Sequence, residues 1–317
     1  MREYARAQLW MEGVAVVTLL VGRFRRGNEP SMMMLPEPYI NAQATLGESP
    51  AWDAKTQTLY WVDVLERRLY AGAKAILQTK DYVSCVAPRR DGGLIVAQGR
   101  ELWALESNMK KLRRLASPRG EVPGNRFNDG KCDPRGRFVV GTMDHSEHET
   151  RGSLYSLPPG GRPRRLLKEL RISNGLAWSP DGKTMYFTDT PTRDVTAFDY
   201  DARTGDIANP RVIIHFDKTF GFPDGMTTDT DGNLWIAMWG GGRISKWGPD
   251  GTLLEQFGVA AKNVTSCVFG GPNMNELFIT TALLRTDAAG LRRFPLAGAV
   301  FRMETDVTGM PTYEFAG

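Results

Sequence analysis

The chain is expected to fold as an all-β, six-bladed β-propeller, and three features of the sequence carry that expectation. One hairpin pattern occurs six times, at intervals of 36 to 50 residues, which is the period of a propeller blade. Asp-Gly pairs at 91–92, 181–182 and 231–232 supply the positive φ that tight hairpins require. After residue 40 no stretch has the periodicity of an amphipathic helix of convincing length.

The hairpins read, in order, ESPAWDAKTQTLYWVD from Glu48, SCVAPRRDGGLIVAQ from Ser84 and NDGKCDPRGRFVVGT from Asn128. They continue with NGLAWSPDGKTMYFTD from Asn174, DGMTTDTDGNLWIAM from Asp224 and SCVFGGPNMNELFITT from Ser266. Each is a polar residue, a short apolar strand, a polar turn, and a second strand rich in β-branched and aromatic residues. Between them GSLYSL (152–157), VTAFDYD (195–201) and RISKWG (243–248) supply further strands. A closed ring needs its ends joined, and INAQATL at 40–46 is positioned to pair with the last blade around Val300–Arg302 and Tyr313–Phe315.

Two regions follow. Residues 38–317 form the propeller domain. Residues 1–37 are an N-terminal extension, read either as a start placed upstream of true initiation at Met32, Met33 or Met34, or as a disordered segment. Its apolar run, Val14 to Val21, is too short to span a bilayer. A net charge of +4, spread along the chain, gives no footprint for nucleic acid. The basic run RRLLKELR at 164–171 is interleaved with leucines and suits a solvated strand edge. Three cysteines, Cys85, Cys132 and Cys267, fit a reducing compartment better than a disulfide framework. The expectation is a cytoplasmic enzyme, a monomer or weak oligomer, with a small-molecule substrate and neither a nucleic-acid nor a membrane partner.

Rotation about a propeller axis brings the start of every innermost strand to the same mouth of the central channel. At that position the chain carries Glu48, Ser84, Asn128, Asn174, Asp224 and Ser266, none of them apolar. Carboxylates crowded there repel one another and are poorly solvated. One divalent cation held by Glu48, Asp224 and the side-chain carbonyl of Asn174 resolves that conflict. Such an oxygen set suits Ca²⁺ best, with Mg²⁺, Mn²⁺ or Zn²⁺ as alternatives. Without an ion, these groups hydrogen-bond neighbouring blades or channel water. Gly175 lets the backbone turn closely behind Asn174. Arg126 and Asn128 are two apart, so strand alternation puts both on one face, where Arg126 can anchor an anion or hydroxyl. Asp129 points away from the axis if the strand is regular and returns toward the site if it is bulged.

Other chemistries find little support. There is no G-x-S-x-G elbow, and His145 and His148 form a loop H-x-x-H without the E-x-x-H extension of zinc hydrolases. His215, flanked by apolar residues in VIIHF, reads as a packed strand residue. Cys85 and Cys267 fall in blades separated by the first, too far apart for a disulfide.

Taken together, LGESPAWD, RFNDGKCDPRGRFVVGTM, ISNGLAWSPDGKTMYFTDT and FPDGMTTDTDGNLWIAMWGGGRI resemble the regucalcin (senescence marker protein)/gluconolactonase/luciferin-regenerating family of six-bladed propellers. The resemblance implies a divalent-metal-dependent hydrolase of sugar lactones. It implies Glu48, Asn174 and Asp224 as metal ligands, Arg126 and Asn128 as substrate contacts, and an acidic contact after GTM that is nearest to Glu147. Lactone hydrolysis needs an activated water, and Asp224, with a second oxygen free, is the expected general base. Two alternatives use the same propeller: hydrolysis of a phosphotriester or other ester, and a non-enzymatic Ca²⁺-binding regulator.

Overall fold

The computed structural model describes residues 35–317, and these form six four-stranded antiparallel sheets. Their innermost strands are Gly47–Asp53, Val83–Pro88, Asn125–Cys132, Ser173–Trp178, Phe222–Thr228 and Asn263–Gly270, which begin blades 1 to 6. Each packs against the innermost strand of the next blade, and the sixth packs back on the first. This is the six-bladed propeller that the repeat predicts. The only α-helix among the described residues is one short segment, Ala288–Arg293.

The second strand of each blade is buried on both faces, and so it reads as a nearly unbroken apolar run. In Phe138–Asp144, Val139 packs with Leu154, Leu176 and Trp178 toward blade 4. Its neighbour Val140 packs with Ile95 and Phe127 toward blade 2. Trp235 and Ile236 divide in the same way, the first toward Phe269 of blade 6 and the second toward Tyr186 of blade 4. The apolar core is thus six clusters, one in each interface between successive blades, and the central channel is left to polar groups. The hairpin glycines have the expected backbone, with φ of 90° at Gly92, 67° at Gly182 and 84° at Gly232. RRLLKELR supplies the outermost strand of blade 3, Arg164–Leu170, whose residues are mostly exposed or half-buried.

Ring closure differs in detail from the sequence expectation. The partner is the expected Val300–Arg302, but the strand that adds to blade 6 is Glu37–Ile40 and not the whole of 40–46, with Ile40 paired to Val300 and Glu37 to Arg302. Residues 41–46 turn inward instead, and the Ala44 amide donates to the Gly298 carbonyl at 2.8 Å. The C-terminal stretch runs to blade 2, where the Phe315 amide donates to the Pro88 carbonyl at 2.8 Å. Of the N-terminal extension, residues 1–34, with the apolar run Val14–Val21, lie outside the described residues. Among the described residues no helix is long and apolar enough to cross a membrane.

Candidate active site

Near its start every innermost strand breaks register with its neighbour. The break falls between Glu48 and Ala51, Val83 and Cys85, Phe127 and Gly130, Asn174 and Leu176, Pro223 and Met226, and Val264 and Ser266. A break of this kind releases the chain from strict alternation, so adjacent residues can face the axis. Above the breaks lies a cavity of about 440 Å³ lined by Glu48, Arg126, Asn128, Glu147, Asn174 and Asp224. All six residues singled out in the sequence therefore meet in one place. Ser84 and Ser266, at the same repeat position, do not line it. The Ser84 hydroxyl donates to the Phe127 carbonyl at 2.6 Å, and Ser266 is buried behind Gly225.

Asn174 is held so that its amide oxygen is left over. Its Nδ2 donates to the Thr190 hydroxyl at 3.1 Å, and that hydroxyl donates to the Pro223 carbonyl at 2.9 Å. The Oδ1 atoms of Asn174 and Asp224 are buried without a hydrogen-bond partner, as is Oδ2 of Asp129. Burial, and then the nearby Asp129 carboxylate, push Glu48 up to about 8. Burial, then Glu48 and Asp129, hold Asp224 well above the carboxylate range. Unpaired buried oxygens beside carboxylates that resist ionisation fit a hard divalent cation. Glu48, Asn174 and Asp224 supply an all-oxygen donor set for it. Among the described residues no three of His, Cys, Asp and Glu gather as a metal cluster. The third donor here is an amide.

Gly175 lets the strand that carries Asn174 lie against the backbone of Asp224. Its φ is 29°, and a Cβ there would stand 2.5 Å from the Asp224 backbone oxygen. Gly175→Ala is expected to cost about 1–3 kcal/mol through overpacking. Chemical denaturation of the variant checks this.

In blade 3, Nη1 of Arg126 donates to the Phe127 carbonyl and to Asn128 Oδ1, both at 2.9 Å. Nδ2 of Asn128 in turn donates to the Ser173 carbonyl at 3.0 Å. The pair therefore shares one side, as their spacing predicts. The break between Phe127 and Gly130 also settles Asp129: it is buried, its Oδ1 accepts from the Gly130 amide at 2.8 Å, and its charge bears on Glu48. Lys131, not singled out in the sequence, lies with it and donates to the Met226 carbonyl. Burial lowers the Lys131 pKa. Its place two residues after Asp129 was a signal that could have found it.

Glu147 lines the cavity at its rim, with φ of 64°. Its carboxylate pairs with Arg285 at 2.8 Å, joining a loop of blade 3 to a loop of blade 6 on the opposite side of the ring. Its backbone carbonyl accepts from Arg171 Nε at 3.0 Å. Arg171 and Arg285 both line the cavity, and neither is marked by a repeat position. The histidines lie outside the donor set. His145 stacks on Tyr82. His148 is exposed beside Glu147. His215, expected to be packed, is 71% exposed on the outermost strand of blade 4 and pairs with Asp194. Alternation sends its side chain to solvent although its neighbours are apolar.

Residues 46–283 match the family model described as the SMP-30/Gluconolactonase/LRE-like region. Regucalcin of Danio rerio is 37% identical over 290 residues, covering 89% of this chain and 98% of that protein. A Bacillus subtilis (strain 168) protein, provisionally named sugar lactone lactonase YvrE, is 33% identical over 283 residues, covering 87% and 97%. The crystal structure of a calcium-binding protein, regucalcin, from Agrobacterium tumefaciens str. C58 superimposes with a TM-score of 0.85 at 28% identity, covering 90% of this chain and 98% of that one. The chain belongs to the SMP-30/Gluconolactonase/LRE-like family.

Proposed function

We propose that this protein hydrolyses a sugar lactone to the corresponding sugar acid, with one divalent cation held by Glu48, Asn174 and Asp224. Ca²⁺ is the favoured ion for an all-oxygen set that includes a neutral amide, ahead of Mg²⁺, Mn²⁺ or Zn²⁺. The observation that carries the reading is the pair of buried, unpartnered oxygens on Asn174 and Asp224, facing the same cavity as Arg126 and Asn128. The family's gluconolactonase members and the lactonase name of the Bacillus relative support the substrate class.

When bound, such an ion supplies Lewis acidity toward the lactone carbonyl. Asp224 is the general base. It takes a proton from water as the water oxygen bonds to the carbonyl carbon, and returns it to the ring oxygen as the ring C–O bond breaks. Arg126 and Asn128, tied to each other, hold the polyol hydroxyls and fix the orientation of the ring. Glu147 meets the sugar at the mouth.

The test is acid release from a panel of aldonolactones, with chelator and after return of single metals. Turnover that disappears with chelator and returns with one ion supports the reading. Turnover confined to phosphotriesters or simple esters, or ion binding without any turnover, overturns it.

A further inference from the structure

The cavity holds three guanidinium groups, and their partners differ. Arg285 is neutralised by the Glu147 carboxylate. Arg126 lies deep, with Nη1 committed to Phe127 and Asn128. Arg171 stands half-buried at the rim, and among the described residues no carboxylate lies within 4.0 Å of its guanidinium. Its one side-chain hydrogen bond is from Nε to the Glu147 carbonyl, which leaves the Nη hydrogens without a protein acceptor among the described residues. The backbone beneath it is fixed, because Asp189 accepts from the Arg171 amide at 3.0 Å and from the Ile172 amide at 2.8 Å. A guanidinium anchored at Nε and at its backbone, with both Nη groups open, is a preset fork for two oxygens of a carboxylate or a phosphate.

The charge of the cavity points the same way. With a divalent cation balancing Glu48 and Asp224, and the buried Asp129 and Lys131 offsetting each other, three guanidinium groups face one remaining carboxylate, Glu147, which pairs with Arg285 and whose charge also bears on Arg126. A neutral lactone that strips water from Arg171 returns only hydroxyl or carbonyl acceptors, which are weaker partners for a guanidinium than an anionic oxygen. A substrate carrying its own anion returns the lost interaction.

Resting on the lactonase reading above, we infer that Arg171 selects sugar lactones bearing a second, anionic group, a carboxylate or a phosphate, over neutral aldonolactones. It is a specificity residue and takes no part in bond-making.

The test compares kcat/KM for gluconolactone, the monolactone of glucaric acid and phosphogluconolactone, using the metal-loaded wild type, Arg171→Gln and Arg171→Lys. Wild type is expected to favour an anionic lactone by about tenfold to a hundredfold, as a charge-assisted bidentate pair gives. In Arg171→Gln that anionic-to-neutral ratio is expected to fall at least tenfold, through KM and not kcat, with partial recovery in Arg171→Lys. Loosening of the Glu147 loop acts on all three substrates and cancels in the ratio. Whichever anionic lactone carries the preference names the group. A ratio unchanged by Arg171→Gln overturns the inference, as does a variant whose only defect is weaker inhibition by the product acid. If wild type turns over no lactone, the hydrolase reading fails separately. Calorimetric titration with glucarate and gluconate then decides: tighter glucarate binding that depends on Arg171 sustains the inference, and equal binding overturns it.

Discussion

Asp224→Asn is expected to lower kcat for lactone hydrolysis by about 10²–10⁴-fold, the usual contribution of a positioned general base. The amide keeps an oxygen of similar size and position, but it cannot accept the proton of the attacking water. Folding should not suffer. Asp224 is 5% exposed and sits in a register break, so no ladder hydrogen bond depends on its side chain. Its Oδ1 has no partner to lose. In the ion-free protein the carboxylate is crowded by Glu48 and Asp129, and a neutral isostere relieves that repulsion. The ion-free variant should therefore melt at or above the temperature of the ion-free wild type. Rate assays on metal-loaded protein, together with thermal melts in chelator, measure both arms. Near-normal turnover by the loaded variant would remove Asp224 from the role of base.

The architecture was legible because the physics that sets it is local and repeated. Strands buried on both faces must be apolar throughout, as in LYWVD and LWIAM, and the turns joining them need Asp-Gly. The inner site was legible for a related reason. Six equivalent strands face one axis, so a polar residue recurring at one repeat position has to converge there. Where the ladder breaks, that logic weakens. Asp129 turned inward, and Ser84 and Ser266 dropped behind the channel wall, because the extra residues are not distributed alike from blade to blade. Counting alone gives no means of placing them. The rim was least legible. Arg285 meets Glu147 across 138 positions of sequence, and both stand on loops whose path follows no period. The closing strand meets Val300–Arg302 as expected but spans Glu37–Ile40, and its bounds were not legible because a single closing strand has no repeat to align with.

Stability should fall as pH rises between about 4.5 and 8 in the ion-free protein, and a divalent cation should abolish that fall. Glu48 is raised to about 8 in the folded chain and Asp224 is raised as well. In this window the folded state therefore binds more protons than the unfolded state, so each rise in pH favours unfolding. The cost is absent below the ordinary carboxylate range and complete above the folded-state value. Each tenfold change in proton affinity is worth about 1.36 kcal/mol, so Glu48 alone places on the order of a few kcal/mol at stake. Carboxylates shifted the other way, such as Asp181 and Asp199, lose their stabilising contribution only below about pH 4. They leave the window clear. Cation and protons compete for the same oxygens, so the ion should raise the melting temperature far more at pH 8 than at pH 5. At a hundredfold excess over its dissociation constant, the ion adds about 2.7 kcal/mol. Thermal melts at stepped pH, in chelator and in excess Ca²⁺, read this directly. A flat profile in chelator, or an equal Ca²⁺ increment at both pH values, would mean that these carboxylates are not the groups the ion and the protons share.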